Sequence, residues 1–199
     1  LDLFQADALR YALAASLPEQ SDTDLSIDEI GRRINEELVA TWGNLVNRVL
    51  SMVHSTCGGA VPAVGDRTAD DLAVLATVDG ALDVVTDLIE RVELRAALRT
   101  GMDAAATVNA YLNATEPWKL ARSDPERAQA VLGTALAAVA GVRVALSPYL
   151  PFSTVALDDE LGPVDAWQRR EPVPGSPIGK PVPLFAKVDV VELLAGDDG

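Results

Sequence analysis

Apolar residues return every three or four positions through most of this chain, the period of a helix that buries one face. Leu9, Leu13 and Leu17 stand four apart and predict a first helix over about residues 5 to 16. The segment Pro18 to Asp24 has the composition of a turn. Ser26-Ile27-Asp28-Glu29 then predicts a capping box, with the serine hydroxyl on the third amide and Glu29 reaching back. The helix it opens carries Ile27, Ile30, Ile34, Leu38, Trp42, Leu45, Val46, Val49 and Val53. That is about seven turns, or roughly 40 Å at 1.5 Å per residue, ended by Gly58 and Gly59.

Two more long helices are predicted, at about 69 to 91 and 94 to 114, the second with Ala97, Leu98, Met102, Ala105, Val108 and Leu112 on one side. Pro117 forces a break, because proline disfavours helical geometry at the residue before it. Ser123-Asp124-Pro125-Glu126 is a helix start, and the helix it opens reaches about residue 146. SPYLPFS marks another break before a short helix ending near 161. From 162 to 183 six prolines and three glycines interrupt any period, which predicts a surface-hugging extension or a partly mobile tail rather than a core element. The closing LFAKVDVVELLAG regains an apolar rhythm and predicts a strand and a short helix. No strand pattern competes before residue 183, so the expected fold is all-α: an antiparallel bundle of four or five helices with a Pro-rich C-terminal extension.

Composition supports helices packed on helices, with 49% hydrophobic residues but only 5% aromatic. A net charge of −14 argues against non-specific coating of nucleic acid, though not against a local, shape-specific site. Of the small basic groups, Arg91, Arg95 and Arg99 share a helix face with Glu90 and Glu93 nearby, which reads as a charge-balanced, solvated surface. The single cysteine, Cys57, forbids an internal disulfide and fits a reducing cytoplasm. Its neighbour His54 is the only histidine, so a catalytic dyad or metal site there is disfavoured. No apolar run approaches the ~20 residues that span a bilayer, and residues 128 to 146, interrupted by Gly133, Gly141 and Arg143, are expected as a buried core helix with no membrane partner. The chain begins without Met and already in helical rhythm, which suggests a piece of something longer.

One stretch of the long helix is out of character. TWGNLVNR, Thr41 to Arg48, contains a glycine and two asparagines, which together give up on the order of 2 kcal/mol of helix propensity. With Asn44 at 0° and 100° per residue, the apolar residues fill an arc from about 80° to 200°. Asn44 and Arg48, the latter at about 40°, lie one turn apart outside it, beside the small residues Ala40, Thr41 and Ser51. An amide and a guanidinium on an open face suit a flat partner with hydrogen-bonding edges, such as a nucleobase, although simple solvation is the commoner reason for such a pair. Trp118, on the corner set by Pro117, is either a wedge sealing a helix junction or a platform for an unpaired base.

The segments ADALRYALAASLPEQSDTDLS, GNLVNR, AYLNATEPWKLAR, LSPYLPFS and PLFAKVD occur in an order that resembles the C-terminal part of bacterial methionyl-tRNA synthetase, over nearly the whole chain. The resemblance implies three regions: 1–25 as the end of the stem-contact region that follows the catalytic domain, 26–161 as the anticodon-binding helical bundle, and 162–199 as the C-terminal extension. It implies that Asn44 and Arg48 match the Asn-x-x-x-Arg pair reading the first anticodon base, a cytosine. Trp118 matches the tryptophan that stacks on that base, with Pro117 fixing its corner. The implied partners are the anticodon stem-loop of tRNA(Met) and the catalytic domain of the same enzyme, in cis or as a separate chain. Leu184 to Asp189 is similar to the segment that packs back toward the catalytic side.

In that family ATP and Mg serve the catalytic domain, through HIGH and KMSKS motifs. Neither motif occurs in these 199 residues, and there is no CxxC zinc knuckle. The chain alone is therefore expected to be catalytically inactive, with no cofactor or metal of its own. The competing expectation is an acidic helical module that docks a protein partner without binding nucleic acid, suggested by the net charge and the extended tail.

Overall fold

A computed structural model describes residues 4–18 and 25–190. The first helix, α1, spans Ala6–Ala15, but the leucine stripe is not its main buried face: Leu9 only partly packs on the core. Leu13 is 44% exposed, and the buried face is Asp7, Ala8, Tyr11, Ala12 and Ala15. Small alanines let α1 lie close to its neighbours while polar groups lock it in place. Asp7 accepts the Ser153 amide at 2.6 Å, Arg10 donates to the carbonyls of Pro148 and Tyr149, and the Tyr11 hydroxyl donates to Glu37.

The long second helix is continuous but not uniform. It comprises α2 (Ile27–Arg32), a π-helical segment (Arg33–Gly43) and α3 (Asn44–Thr56). Ser26 caps its start by accepting the Glu29 amide at 3.2 Å. The reciprocal half of the expected capping box is replaced by forward ion pairs, in which Glu29 holds Arg32 and Arg33 at 2.8 and 2.9 Å. The helix ends as predicted: Gly58 takes a left-handed φ of 66° and the Gly59 amide donates back to the His54 carbonyl.

Helices α4 (Ala69–Glu90) and α5 (Leu94–Thr115) lie within a residue of their predicted bounds. A tight turn joins them, with Val92 at a φ of 61°. Thr68 and Asp71 form the reciprocal capping box that starts α4. After the short α6 (Pro117–Ser123), α7 (Pro125–Leu146) runs through the middle of the bundle. By length and composition α7 could cross a bilayer, contrary to the expectation from its interruptions, but 94% of its apolar window is buried among the other helices. Arg143, one of those interruptions, is only 2% exposed. Its guanidinium donates to the carbonyls of Thr154 and Gly162 at 2.8 and 2.7 Å and to Asp158. One buried cation thus gathers α8 (Pro151–Val155) and α9 (Asp158–Leu161), two short helices where one was expected.

The Pro-rich tail hugs the bundle surface. Arg169 binds Asp79 and Glu171, Arg67 binds Glu171, and Trp167 donates to the Leu82 carbonyl at 3.3 Å. Val61 exchanges backbone bonds with Ser176 and Gly175, and Ile178 donates to the Gly59 carbonyl. Farther on, Val188 is clasped by Asn35, which donates to its carbonyl at 2.8 Å and accepts its amide at 2.9 Å. No strand forms over the described part of the closing segment, and its residues 191–199 lie outside the described residues.

Candidate nucleic-acid interface

Gly43 ends the π segment and Asn44 begins α3, so the TWGNLVNR stretch straddles a change in hydrogen-bond pattern. The Asn44 amide N–H reaches both Val39 and Thr41 carbonyls at this junction. π segments inside α-helices are rare and often coincide with function. The buried face here is also broader than the predicted arc. Val39, Gly43 and Leu50 are buried too, and they extend it to about 260° on the same wheel. Gly43 borders the tail and not a neighbouring helix: a β-carbon there would sit 3.4 Å from the Phe185 ring, an ordinary contact distance.

Asn44 is exposed, and one N–H of its side chain donates to the Ala40 carbonyl at 3.3 Å, leaving the other available. Arg48 is half-buried, with its guanidinium carbon 4.7 Å from the centre of the Trp118 ring, a cation–π stack. Among the described residues no carboxylate pairs with Arg48. Trp118 remains 41% exposed. Thus residues 70 positions apart in the sequence meet, and the guanidinium keeps hydrogen-bonding capacity that no acid consumes.

The corner that holds Trp118 is strained and well supported. Glu116 adopts a left-handed φ of 45° and ψ of 54°, which turns the chain from α5 into α6, and the buried Pro117 fixes the first residue after it. This conformation costs a non-glycine residue roughly 1 to 2 kcal/mol. Around it, Asp71 joins three helices: it accepts from the Tyr111 hydroxyl at 2.5 Å and from two Arg127 nitrogens at 2.5 and 2.8 Å. Burial alone would raise the Asp71 carboxyl, but these hydrogen bonds and the Thr68 amide outweigh it and hold it at about 2. Burial and the adjacent carboxylate push the Tyr111 phenol up.

The other marked basic groups are mostly spoken for. Arg32 and Arg33 are absorbed by Glu29, Glu36 and Glu37. Lys119 pairs with Glu116 at 2.7 Å, and Arg99 lies near Asp103 on a solvated face. Arg122 is exposed and has no ion pair among the described residues. Cys57 and His54 form no dyad: the His54 ring nitrogen Nδ1 is bonded to the Ile178 carbonyl, and burial pushes the Cys57 thiol up. A cavity of about 570 Å³ lies elsewhere, between α1, α8 and the tail.

Sequence reasoning passed over one residue at this junction. Asn109 of α5 donates to the Thr41 carbonyl at 3.2 Å, and a single polar side chain flanking the apolar stripe of α5 was the only available signal.

Residues 61–189 match the family described as "Anticodon binding domain of methionyl tRNA ligase". The chain belongs to that family. Residues 1–50 match a second family, "tRNA synthetases class I (M)". The methionine–tRNA ligase of Nocardioides sp. is 39% identical over 95% of this chain and 37% of its own length. That of Chloroflexus aurantiacus is 46% identical over 81% of this chain and 27% of its own. The chain therefore spans between about a quarter and two fifths of the curated relatives it matches. Among solved structures, the apo form of Mycobacterium tuberculosis methionyl-tRNA synthetase superposes with a TM-score of 0.86 at 27% identity, covering 94% of this chain and 40% of that one. In this anticodon-binding family, the helical fold and the ordered motifs of the present chain are thus accounted for together.

Proposed function

We propose that this chain reads the CAU anticodon of tRNA(Met) for a methionine–tRNA ligase, with Asn44, Arg48, Pro117 and Trp118 as its site. The observation that carries this is the Arg48–Trp118 stack, an unpaired guanidinium held against an exposed indole one turn from the Asn44 amide. The first base, a cytosine, stacks on the exposed part of Trp118, worth roughly 1 to 3 kcal/mol. Its O2 and N3 are acceptors, which the free N–H of Asn44 and the Arg48 guanidinium fill as donors. Uracil presents a donor at N3, so one protein donor faces another and loses its partner. A desolvated, unpaired polar group costs about 1 to 3 kcal/mol, or one to two powers of ten in discrimination.

Charging of the tRNA with methionine falls to the catalytic domain of the longer enzyme, where ATP and Mg act. Family membership and the absence of HIGH and KMSKS from these 199 residues support that division of labour. The test is binding of a CAU anticodon stem-loop to the chain and to its Asn44→Ala, Arg48→Ala and Trp118→Ala variants. Wild type is expected to prefer CAU over UAU by at least tenfold, and each variant to lose that preference. Equal binding of both stem-loops by wild type would overturn the assignment.

A further inference from the structure

We infer that Asn109 is a positioning residue that sets the register between the two halves of this site, an inference that rests on the anticodon reading proposed above. Arg48 and Asn44 belong to the helix that begins at Asn44; Trp118 belongs to the corner at the end of α5. The 4.7 Å stack of Arg48 on Trp118 therefore depends on how α5 and the long helix are placed along one another. Apolar packing between two helices fixes their separation and crossing angle more firmly than a small slide along the axis. A directional bond resists such a slide.

Asn109 supplies that bond. Its side-chain Nδ2 donates to the Thr41 carbonyl at 3.2 Å, with a weaker contact to its own Ala105 carbonyl at 3.4 Å. Thr41 O is also a carbonyl to which the Asn44 backbone N–H donates as the π segment gives way to α3. One acceptor thus ties α5 to the residue that opens the reading helix. The π segment makes this placement consequential. Each residue added to or removed from a helical turn rotates the rest of the helix by about 100°, so the junction at Thr41 to Asn44 decides the direction in which Asn44 and Arg48 point. Asn109 lies nine residues before Trp118, six of them along α5 to Thr115 and the rest across the Glu116 corner, on the other side of the same site. Its two hydrogen bonds go to Thr41 and Ala105 and not to Arg48 or Trp118, so it acts through Thr41.

The experiment is a double-mutant cycle read by stem-loop binding, using the whole 199-residue chain well below its melting temperature. Asn109→Ala removes the donor, and Asn109→Asp keeps the volume while setting a carboxylate against the Thr41 carbonyl; the second serves if the first fails to fold. Each is expected to weaken CAU binding about tenfold and to reduce the CAU-over-UAU preference by a similar factor. In an Asn44→Ala, Arg48→Ala background the same Asn109 substitution is expected to cost less than twofold, because both groups it positions are gone. Full tenfold losses in both backgrounds, or wild-type binding and preference in the Asn109 variants, would overturn the inference. Arg48→Ala alone separates the two levels: if it binds CAU like wild type, the anticodon reading itself fails, whereas its loss with no effect of Asn109 sinks only the register role.

Discussion

The guanidinium of Arg48 stacks 4.7 Å from the centre of the Trp118 ring, and no carboxylate among the described residues competes for it. The two side chains are mutually supporting. Trp118→Ala leaves Arg48 free to sample other rotamers, and Arg48→Ala exposes the indole to water. Each single substitution is expected to weaken CAU stem-loop binding by roughly 10- to 100-fold, and the pair by less than the product, because each truncation already forfeits the shared contact. A titration series of the four proteins at fixed salt measures this; strictly multiplicative losses would contradict the mutual support.

The Asp71 network predicts an acid-sensitive clamp. The carboxyl sits at about 2 in the folded chain against an ordinary value of 3.8, so its charge stabilises the fold at pH above 3.8. That contribution is lost as pH falls from about 4 toward 2, and linkage puts it on the order of 2 kcal/mol. Melting curves between pH 5 and 2 are expected to show the loss in wild type and a flatter response in Asp71→Asn. Tyr111→Phe, which removes one of the bonds holding the carboxyl down, should move the acid transition to higher pH.

Glu116 holds left-handed backbone at a position where glycine would be unstrained. Its ion pair with Lys119 is exposed and contributes little. Glu116→Gly is therefore expected to raise stability by about 0.5 to 1 kcal/mol, the strain released less the greater freedom of glycine in the unfolded chain. Denaturant unfolding gives the sign directly. A destabilisation would show that the glutamate side chain does more at this corner than the exposed ion pair suggests.

A methyl added at Gly43 would meet the Phe185 ring at 3.4 Å, ordinary van der Waals contact. Gly43→Ala is expected to be neutral or slightly stabilising, since ordinary contact replaces open space and alanine favours helix. Gly43→Leu should cost about 1 to 3 kcal/mol by displacing Phe185, itself only 4% exposed. Thermal unfolding of both variants distinguishes a tight seat from a loose one.

Much of this fold was legible in the sequence, and the exceptions share a cause. Helices α4, α5 and α7 announce their bounds because Thr68, Pro125 and the apolar period act locally. The pair Asn44 and Arg48 stood out because a wheel at 100° per residue exposes them, and α3 obeys that period. The π segment escaped notice because a change from one hydrogen-bond spacing to another leaves no mark on which residues are apolar; it showed only as Val39 and Gly43 being buried beyond the expected arc. The stripe of Leu9, Leu13 and Leu17 misled because periodicity finds an apolar face but cannot say which of two faces the rest of the chain covers. In α1 the alanine face won, since Asp7, Arg10 and Tyr11 reach distant partners whose positions no local rule supplies. Arg143 is the same case, an apparent interruption that the tertiary fold turns into a buried tie.

The clasp of Val188 by Asn35 joins residues 153 positions apart, and the bonds between Val61 and Ser176 close a loop of more than a hundred. Closing such loops is entropically slow, whereas the helical hairpin of α4 and α5 forms from near neighbours. The tail should consequently be the last part to assemble and the first to open. Backbone amides of Val61, Ile178 and Val188 are expected to exchange with deuterium at far lower protection than those of α7, at free energies well short of global unfolding. The bundle would then act as a finished template on which a late-arriving belt is fastened, and with it the Phe185 ring that seats against the end of the π segment.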